Sequence, residues 1–350
     1  DAAKAEEPKK DAGIKTETIV TQETAQKQTV PPPTPNYSGD LMHRKALTGD
    51  WGGLRNDLAA KGITLDVATH NIIQGNAHGG ASTKNAFRYS GSAHYTFTLD
   101  TEKMGLWKGG TIVLHAENKW KNGIQDKVGS LLPVNLDAYK PTFGDPCIMT
   151  LSEWILFQSL FDGKLVLVGG KLDGTRAWDR NVFANDERTQ FMNLGLRNNP
   201  VIPAFAPYTT IGAGALFNPT DWLTISGAMI DTDGSATRTG FDTAFHGPMN
   251  TSIINEIDVK VKPFGLDGNQ RLGWCWSSKD FQDVAPISPF RELGPSLEKM
   301  VGSKFMKTIS PLIPVEGHSD NVAVYYNFDQ YLYQKADDRT QGIGIFGRFG

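Results

Sequence analysis

"LTGDWGGLRNDLAAKGITLDV", residues 47–67, holds two hydrophobic periods in succession. Trp51, Leu54 and Leu58 recur at helical spacing, whereas Ile63, Leu65 and Val67 alternate with Thr64 and Asp66 in the manner of a strand. Gly62 stands where the period changes. The pattern predicts a helix over 50–61, capped by Thr48 or Asp50, stopped at Gly62 and followed by a first strand from Ile63. The apolar stripe Trp51, Leu54, Leu58 predicts that this helix docks through that face.

Upstream, residues 1–46 read as a polar arm. Lys, Glu, Thr, Gln and Ala dominate up to about residue 40, with "PPPTP" at 31–35. Such a segment buries too little apolar surface to offset its chain entropy and is expected to be extended or disordered.

Downstream, residues 47–350 read as one β-rich unit. Alternating faces can be written for Ala93–Leu99, Ile112–Ala116, Leu223–Met229, Ile253–Val261, Leu272–Trp276 and Val322–Phe328, and further strand-like stretches lie near 154–161, 164–172, 209–217 and 342–349. Asp162-Gly163 and Asp267-Gly268 supply hairpin punctuation. This makes about eleven strands, many near the length that a tilted strand needs to cross a bilayer. Their opposite faces carry His, Glu, Asp, Lys and Arg, as a water-filled lumen or bulk solvent requires. The longest uncharged run, 198–220, contains four prolines and is no membrane helix.

The 350 residues carry a net charge of −3, which offers no handle for nucleic acid, and a mean hydropathy of −0.34, which alternating barrel strands produce as readily as a soluble fold does. Cys147 and Cys275 are too few for a disulfide framework; one bridge or two unpaired thiols remain open.

"LTGDWGGLRNDLAAKGI" (47–63) resembles the opening signature of the carbohydrate-selective outer-membrane porins of Gram-negative bacteria, through Gly49, Asp50, Trp51, Gly52, Gly53, Leu54, Arg55 and Gly62. The resemblance continues through "GGKLDGTRAWDRNVFANDERTQFMN" (169–193) and "QGIGIFGRFG" (341–350). It implies a sixteen-stranded antiparallel transmembrane β-barrel passing small sugars, surrounded by outer-membrane lipid, often trimeric, with the arm in the periplasm. Eleven strands are an odd count for such a barrel, so the resemblance also leads one to expect a longer native polypeptide.

No Gly-x-Ser-x-Gly elbow, phosphate loop, His-Glu-x-x-His or cofactor motif occurs. The charged run Lys171, Asp173, Arg176, Asp179, Arg180, Asp186, Glu187 and Arg188 follows a strand and is too long for a tight turn. It reads either as a loop folded into the lumen to constrict it or as a solvated external loop. His115, Glu117, Lys119, Glu256, Asp258, Lys260, Arg271, Asp329 and Arg348 are the expected lumen-facing residues. His70, His94 and His115 share a polar face, but without a ligand-spacing motif they read as solvated lumen histidines rather than a metal site. Asp231-Thr232-Asp233-Gly234 reads as a turn rather than a calcium loop. Trp51, Trp120 and Trp178 are candidates to stack on a sugar, while Trp274 and Trp276 belong to the lipid side.

The leading expectation is therefore a passive sugar channel with no chemical step. Two other classes stay open: a structural barrel tethered to the cell wall or another envelope component through residues 1–40, and a soluble β-rich hydrolase using Asp173 with Asp179 or Asp186.

Overall fold

The computed structural model describes residues 34–121, 123–130, 132–139, 149–233, 250–282 and 317–350. Eleven strands form one sheet: β1 Ile63–Gly75, β2 Phe87–Asp100, β3 Gly110–Trp120, β4 Met149–Leu160, β5 Leu165–Leu172, β6 Thr210–Thr220, β7 Leu223–Asp231, β8 Thr251–Val261, β9 Gly268–Ser277, β10 Asn321–Gln334 and β11 Gly342–Phe349. Each pairs antiparallel with its sequence neighbour, so spatial order follows chain order from β1 to β11. A two-residue ladder, Phe281–Gln282 with Gly317–His318, lies apart.

Register separates the two faces. Thr96 faces His115, His94 faces Glu117, Asp258 faces Arg271 and Asn327 faces Arg348 across successive pairs, which places the polar sets on one side. The other side carries Val67, Leu156, Leu167, Met229, Leu272, Trp274, Val324 and Ile345, all exposed. An apolar belt carried by strand after strand is what a lipid-facing wall requires and what a soluble sheet avoids. None of the described helices is long and apolar enough to cross a membrane, which leaves crossing by strands untouched.

The polar face is the inner one. Residues 173–209, between β5 and β6, fold back over it. Trp178, Ile202, Phe205 and Ala206 from this segment pack on Ile155, Phe157, Val166, Leu216, Ile230 and Ile254 of the strands, so the main apolar core lies inside the curve of the sheet. Full burial of each large side chain is worth about 1.5–3 kcal/mol, which explains why the segment stays on the wall.

The sheet's two ends differ. Residues 101–109, 161–164, 221–222, 262–267 and 335–341 make short connections at the end where β1 begins, whereas 76–86 and 173–209 belong to the opposite end.

The helix preceding β1 spans Leu54–Ala60, shorter than the expected 50–61. Trp51, Gly52 and Gly53 all have positive φ (56°, 70° and 96°), which a right-handed helix excludes. Asp50 organises this turn instead of capping the helix: its Oδ1 accepts from the Gly52 N–H at 3.1 Å and its carbonyl from the Arg55 N–H at 3.0 Å. The docking face also differs from the expected stripe. Arg55 and Ala59 are buried, whereas Trp51 and Leu54 remain exposed. Gly62, at φ 85°, is needed for a second reason: a Cβ there would lie 2.7 Å from the Asp100 carbonyl oxygen.

Candidate functional site

The site is the inner surface and the segment that crosses it. β5 ends at Leu172, and Asp173 caps the short helix Gly174–Ala177, its Oδ1 accepting from Thr175 N–H at 2.9 Å and Thr175 Oγ1 at 2.6 Å. Arg176 donates to Glu187 Oε1 at 2.9 Å and lies 3.2 Å from Asp173 Oδ2. Arg197, fully buried, donates through Nε to Glu187 Oε2 at 2.6 Å and through NH1 to Thr175 Oγ1 at 3.0 Å. One carboxylate thus clamps two guanidinium groups from distant points of the segment. Burial lowers the Arg176 pKa, but the carboxylates of Glu187, Asp173 and Glu153 more than offset this and raise it well above the ordinary value. Arg176 is a fixed cation.

The segment is pinned to both sides of the curved sheet. Toward β3 and β4, Tyr208 OH donates to Glu117 Oε2, and Glu153 Oε1 accepts from the Asp173 N–H at 3.0 Å. Toward β8, β10 and β11, Glu256 Oε2 accepts from the Asp179 N–H at 2.9 Å, Asn327 Nδ2 donates to Asp179 Oδ1 at 2.7 Å, and Arg348 Nε meets Asp179 Oδ2 at 2.8 Å. Phe183 meets the Tyr331 ring edge-on, 4.9 Å between centroids. These contacts hold residues 173–209 against the inner face of the sheet.

Most of the charged residues singled out in the sequence hold the segment in place. Asp173, Arg176, Asp179 and Glu187 are buried in the pairs above. Lys171 is buried and donates to the Leu151 carbonyl at 3.0 Å. The Arg180 carbonyl accepts from Asn327 Nδ2 at 2.9 Å. Asp186 shapes a turn, accepting from the Arg188 N–H at 2.7 Å and Thr189 N–H at 3.1 Å. Arg271 joins Asp258 at 3.1 Å and Asp329 at 2.6 Å. Lys119, also buried, donates to the Ala138 carbonyl at 3.4 Å, and Lys260 is exposed on β8. His94 and His115 are 4% and 1% exposed, which corrects the expectation of solvated histidines.

A cavity of about 1210 Å³ opens between residues 35–62 and the inner faces of β1–β3. Asp66, Thr96, Thr98, Trp51, Arg55 and Arg188 are among its lining residues. Trp51 is therefore the one of the three tryptophans suggested for sugar stacking that borders open space. Trp178 is buried in the core, and Trp120 lies on the outer face, donating to Tyr89 OH at 3.0 Å. Asp233 pairs with Lys279 at 2.8 Å, while Gly234 and Cys147 lie outside the described residues; Cys275 is buried in the core.

The sequence profile of the carbohydrate-selective porin, OprB family, matches residues 84–350. The chain belongs to this carbohydrate-selective porin family. Porin B of Pseudomonas aeruginosa is 26% identical over 251 residues, covering 69% of this chain and 54% of Porin B. The putative porin QuiX of Acinetobacter baylyi is 21% identical over 333 residues, covering 87% of this chain and 70% of QuiX. The chain thus spans about half the length of Porin B. The high-pH structure of Pseudomonas putida OprB superimposes with a TM-score of 0.68 at 20% identity, over 86% of this chain and 69% of that one. That likeness establishes the antiparallel porin β-barrel fold.

Within the family frame, sequence reasoning missed Arg197, Glu153, Asn327 and the Tyr37–Arg55–Asp66 contact. Glu153 had a signal, as a lone charge on an otherwise apolar stretch with Ile155 and Phe157. A bulge between His115 and Ala116 changes the register opposite it, which period counting does not register. Arg197 had none, being a single cation among Leu194, Leu196 and two asparagines.

Proposed function

We propose that this porin-family chain forms the wall and constriction of an outer-membrane channel for passive diffusion of small sugars. The carrying observation is the 173–209 segment, fixed across the inner face by Glu187 with Arg176 and Arg197 and by Asp179 with Arg348. It leaves the cavity bordered by Asp66, Thr96 and Arg188 beside it. Mixed donors and acceptors on such a wall replace the hydration of a neutral polyol without holding it tightly, which is what conduction requires. Trp51 offers an aromatic plane to the apolar face of a sugar ring.

The short connections lie at the end where residues 34–62 sit, and outer-membrane barrels keep short turns in the periplasm. The N-terminal arm is accordingly assigned to the periplasm.

The test is single-channel recording of the folded native protein in a planar bilayer, with and without mono- and oligosaccharides. Ohmic conductance reduced reversibly by millimolar sugar is expected. Folded protein that inserts but never conducts sinks the reading.

A further inference from the structure

One group of inner-wall side chains brings three ligand-type atoms to a single point. His94 on β2 and His115 and Glu117 on β3 are all buried. Three of their atoms form a triangle: His94 Nδ1 to His115 Nε2 is 3.2 Å, His94 Nδ1 to Glu117 Oε1 is 3.3 Å, and His115 Nε2 to Glu117 Oε1 is 3.6 Å.

Each imidazole is held from behind by another carboxylate. His94 Nε2 lies 3.1 Å from Asp137 Oδ1, and His115 Nδ1 lies 2.8 Å from Glu153 Oε2. In each ring the shorter carboxylate contact is the outer one, 3.1 against 3.3 Å for His94 and 2.8 against 3.6 Å for His115, which favours the neutral tautomer with its proton on that outer nitrogen. His94 Nδ1 and His115 Nε2 are then left with lone pairs. Two nitrogen lone pairs and a carboxylate oxygen converge on one point.

A cation is what such a point accommodates. Tetrahedral ligands with bonds of about 2.0–2.1 Å stand roughly 3.3–3.4 Å from one another, and the triangle's edges bracket that spacing. The carboxylates behind the two rings repeat the arrangement that orients histidines at metal centres. Three carboxylates, Glu117, Glu153 and Asp137, surround the two rings; of the neighbouring cations, Arg176 lies 3.9 Å from Glu153 and is shared with Asp173 and Glu187, and Lys119 donates to the Ala138 carbonyl beside Asp137. His94 also borders the large cavity.

We propose that His94, His115 and Glu117 bind one borderline divalent transition cation of the Zn²⁺ type, with Asp137 and Glu153 as positioning residues. The nitrogen-and-oxygen donor set favours such an ion over Ca²⁺ or Mg²⁺. A bound ion would tie β2 to β3 and, through Asp137, fix residues 136–139 to the inner wall. The alternative grouping of His94 with His70 and Asp137 uses the other His94 nitrogen and a half-exposed His70. It is tested alongside.

The folded full-length protein, stripped with EDTA in detergent, is titrated with Co²⁺ and then Zn²⁺. One Co²⁺ per chain with tetrahedral d–d absorption, displaced by Zn²⁺, is expected. H115Q and E117Q each weaken binding at least tenfold and D137N by roughly 10–100-fold, whereas H70Q leaves it unchanged. X-ray absorption at the zinc edge of the loaded native protein must show two imidazoles, a result that needs no variant to fold. No stoichiometric Co²⁺ spectrum, fewer than two imidazoles, or loss of binding in H70Q but not H115Q overturns the proposal. The first of these outcomes points to a shared proton between the rings. Binding is read without any flux measurement, so its outcome is separate from that of the channel assignment.

Discussion

The Arg55 guanidinium lies 3.5 Å above the Tyr37 ring centre. The same group donates to the Leu65 carbonyl at 2.7 Å and to Asp66 Oδ1 at 3.0 Å. Arg55 therefore joins the arm, the helix and the first strand at one point. Replacing it with alanine removes a desolvated cation–π contact and a half-buried ion pair, together worth about 2–3 kcal/mol. Arg55→Ala should expose residues 34–62 to limited proteolysis several-fold faster, with strand circular dichroism unchanged. Equal protection of the two proteins would show that the contact does not hold the arm.

Asp50 gives this docking a pH dependence. The Ser38 hydroxyl donates to its Oδ2 at 2.6 Å and holds the carboxyl below its ordinary 3.8. A folded-state pKa below the unfolded value stabilises the docked form above about pH 3.8 and loses that effect as pH falls through the folded value. Quenching of Trp51 fluorescence, read as the difference between native protein and Trp51→Phe, should stay flat from about pH 8 to 5 and rise only in stronger acid. A transition near neutrality, or none in Ser38→Ala relative to native protein, would assign the docking to another group.

The alternating faces made the strands legible, because period two survives whatever the strand packs against. Leu272, Trp274, Val322 and Val324 face outward in the fold as the alternation alone required. The helix was less legible. Trp51, Leu54 and Leu58 look like a docking stripe, yet the buried residues are Arg55 and Ala59. Hydrophobic spacing cannot foresee a buried arginine whose partners, Tyr37 and Asp66, come from elsewhere. The family profile begins at residue 84, so it does not include the Leu47–Ile63 signature either. In the inner segment the charges were visible and their roles were not. Which carboxylate meets which guanidinium depends on how the chain returns, 11 and 10 residues away for Glu187 with Arg176 and Arg197, and 169 for Asp179 with Arg348.

Glu187 is the latch of that segment. It faces Arg176 and Arg197, and all three are nearly or fully buried. Glu187→Gln leaves two guanidinium groups short of their counter-charge in a dry site, a change that costs about 3–5 kcal/mol. The expected consequences are a lower melting midpoint, larger single-channel conductance and frequent flicker as 173–209 leaves the wall. Conductance identical to the native channel would mean that the core residues Trp178, Ile202 and Phe205 suffice to hold it.

The outer face is tested most directly on β10. Val324 is 58% exposed there, between Val322 and Tyr326. Val324→Arg should destabilise protein folded in bilayers by about 2–4 kcal/mol if that position lies near the midplane, and by less toward either interface. Denaturant titration in lipid vesicles reads the difference. An unchanged midpoint in lipid would place Val324 in water or against protein.

Arg188 sets the charge balance of the cavity. The lining carries five cations, Lys45, Arg55, Lys103, Lys108 and Arg188, against four anions, Asp66, Asp100, Glu102 and Asp162. Such near-neutrality suits an uncharged permeant, since neither small anions nor small cations are strongly favoured. Arg188 is held by its Asp186 partner at 3.2 Å, so its charge is fixed in place rather than sweeping the opening. Arg188→Glu reverses the excess to four cations against five anions and sets two carboxylates side by side. The zero-current potential in a KCl gradient should move toward cation selectivity, with a several-fold rise in the K⁺ to Cl⁻ permeability ratio. Lys260→Glu, on the inner face but outside the cavity lining, should leave that ratio nearly unchanged. Equal shifts in the two variants would mean that ions sense the net charge of the wall and not this opening, and that the permeation path lies elsewhere.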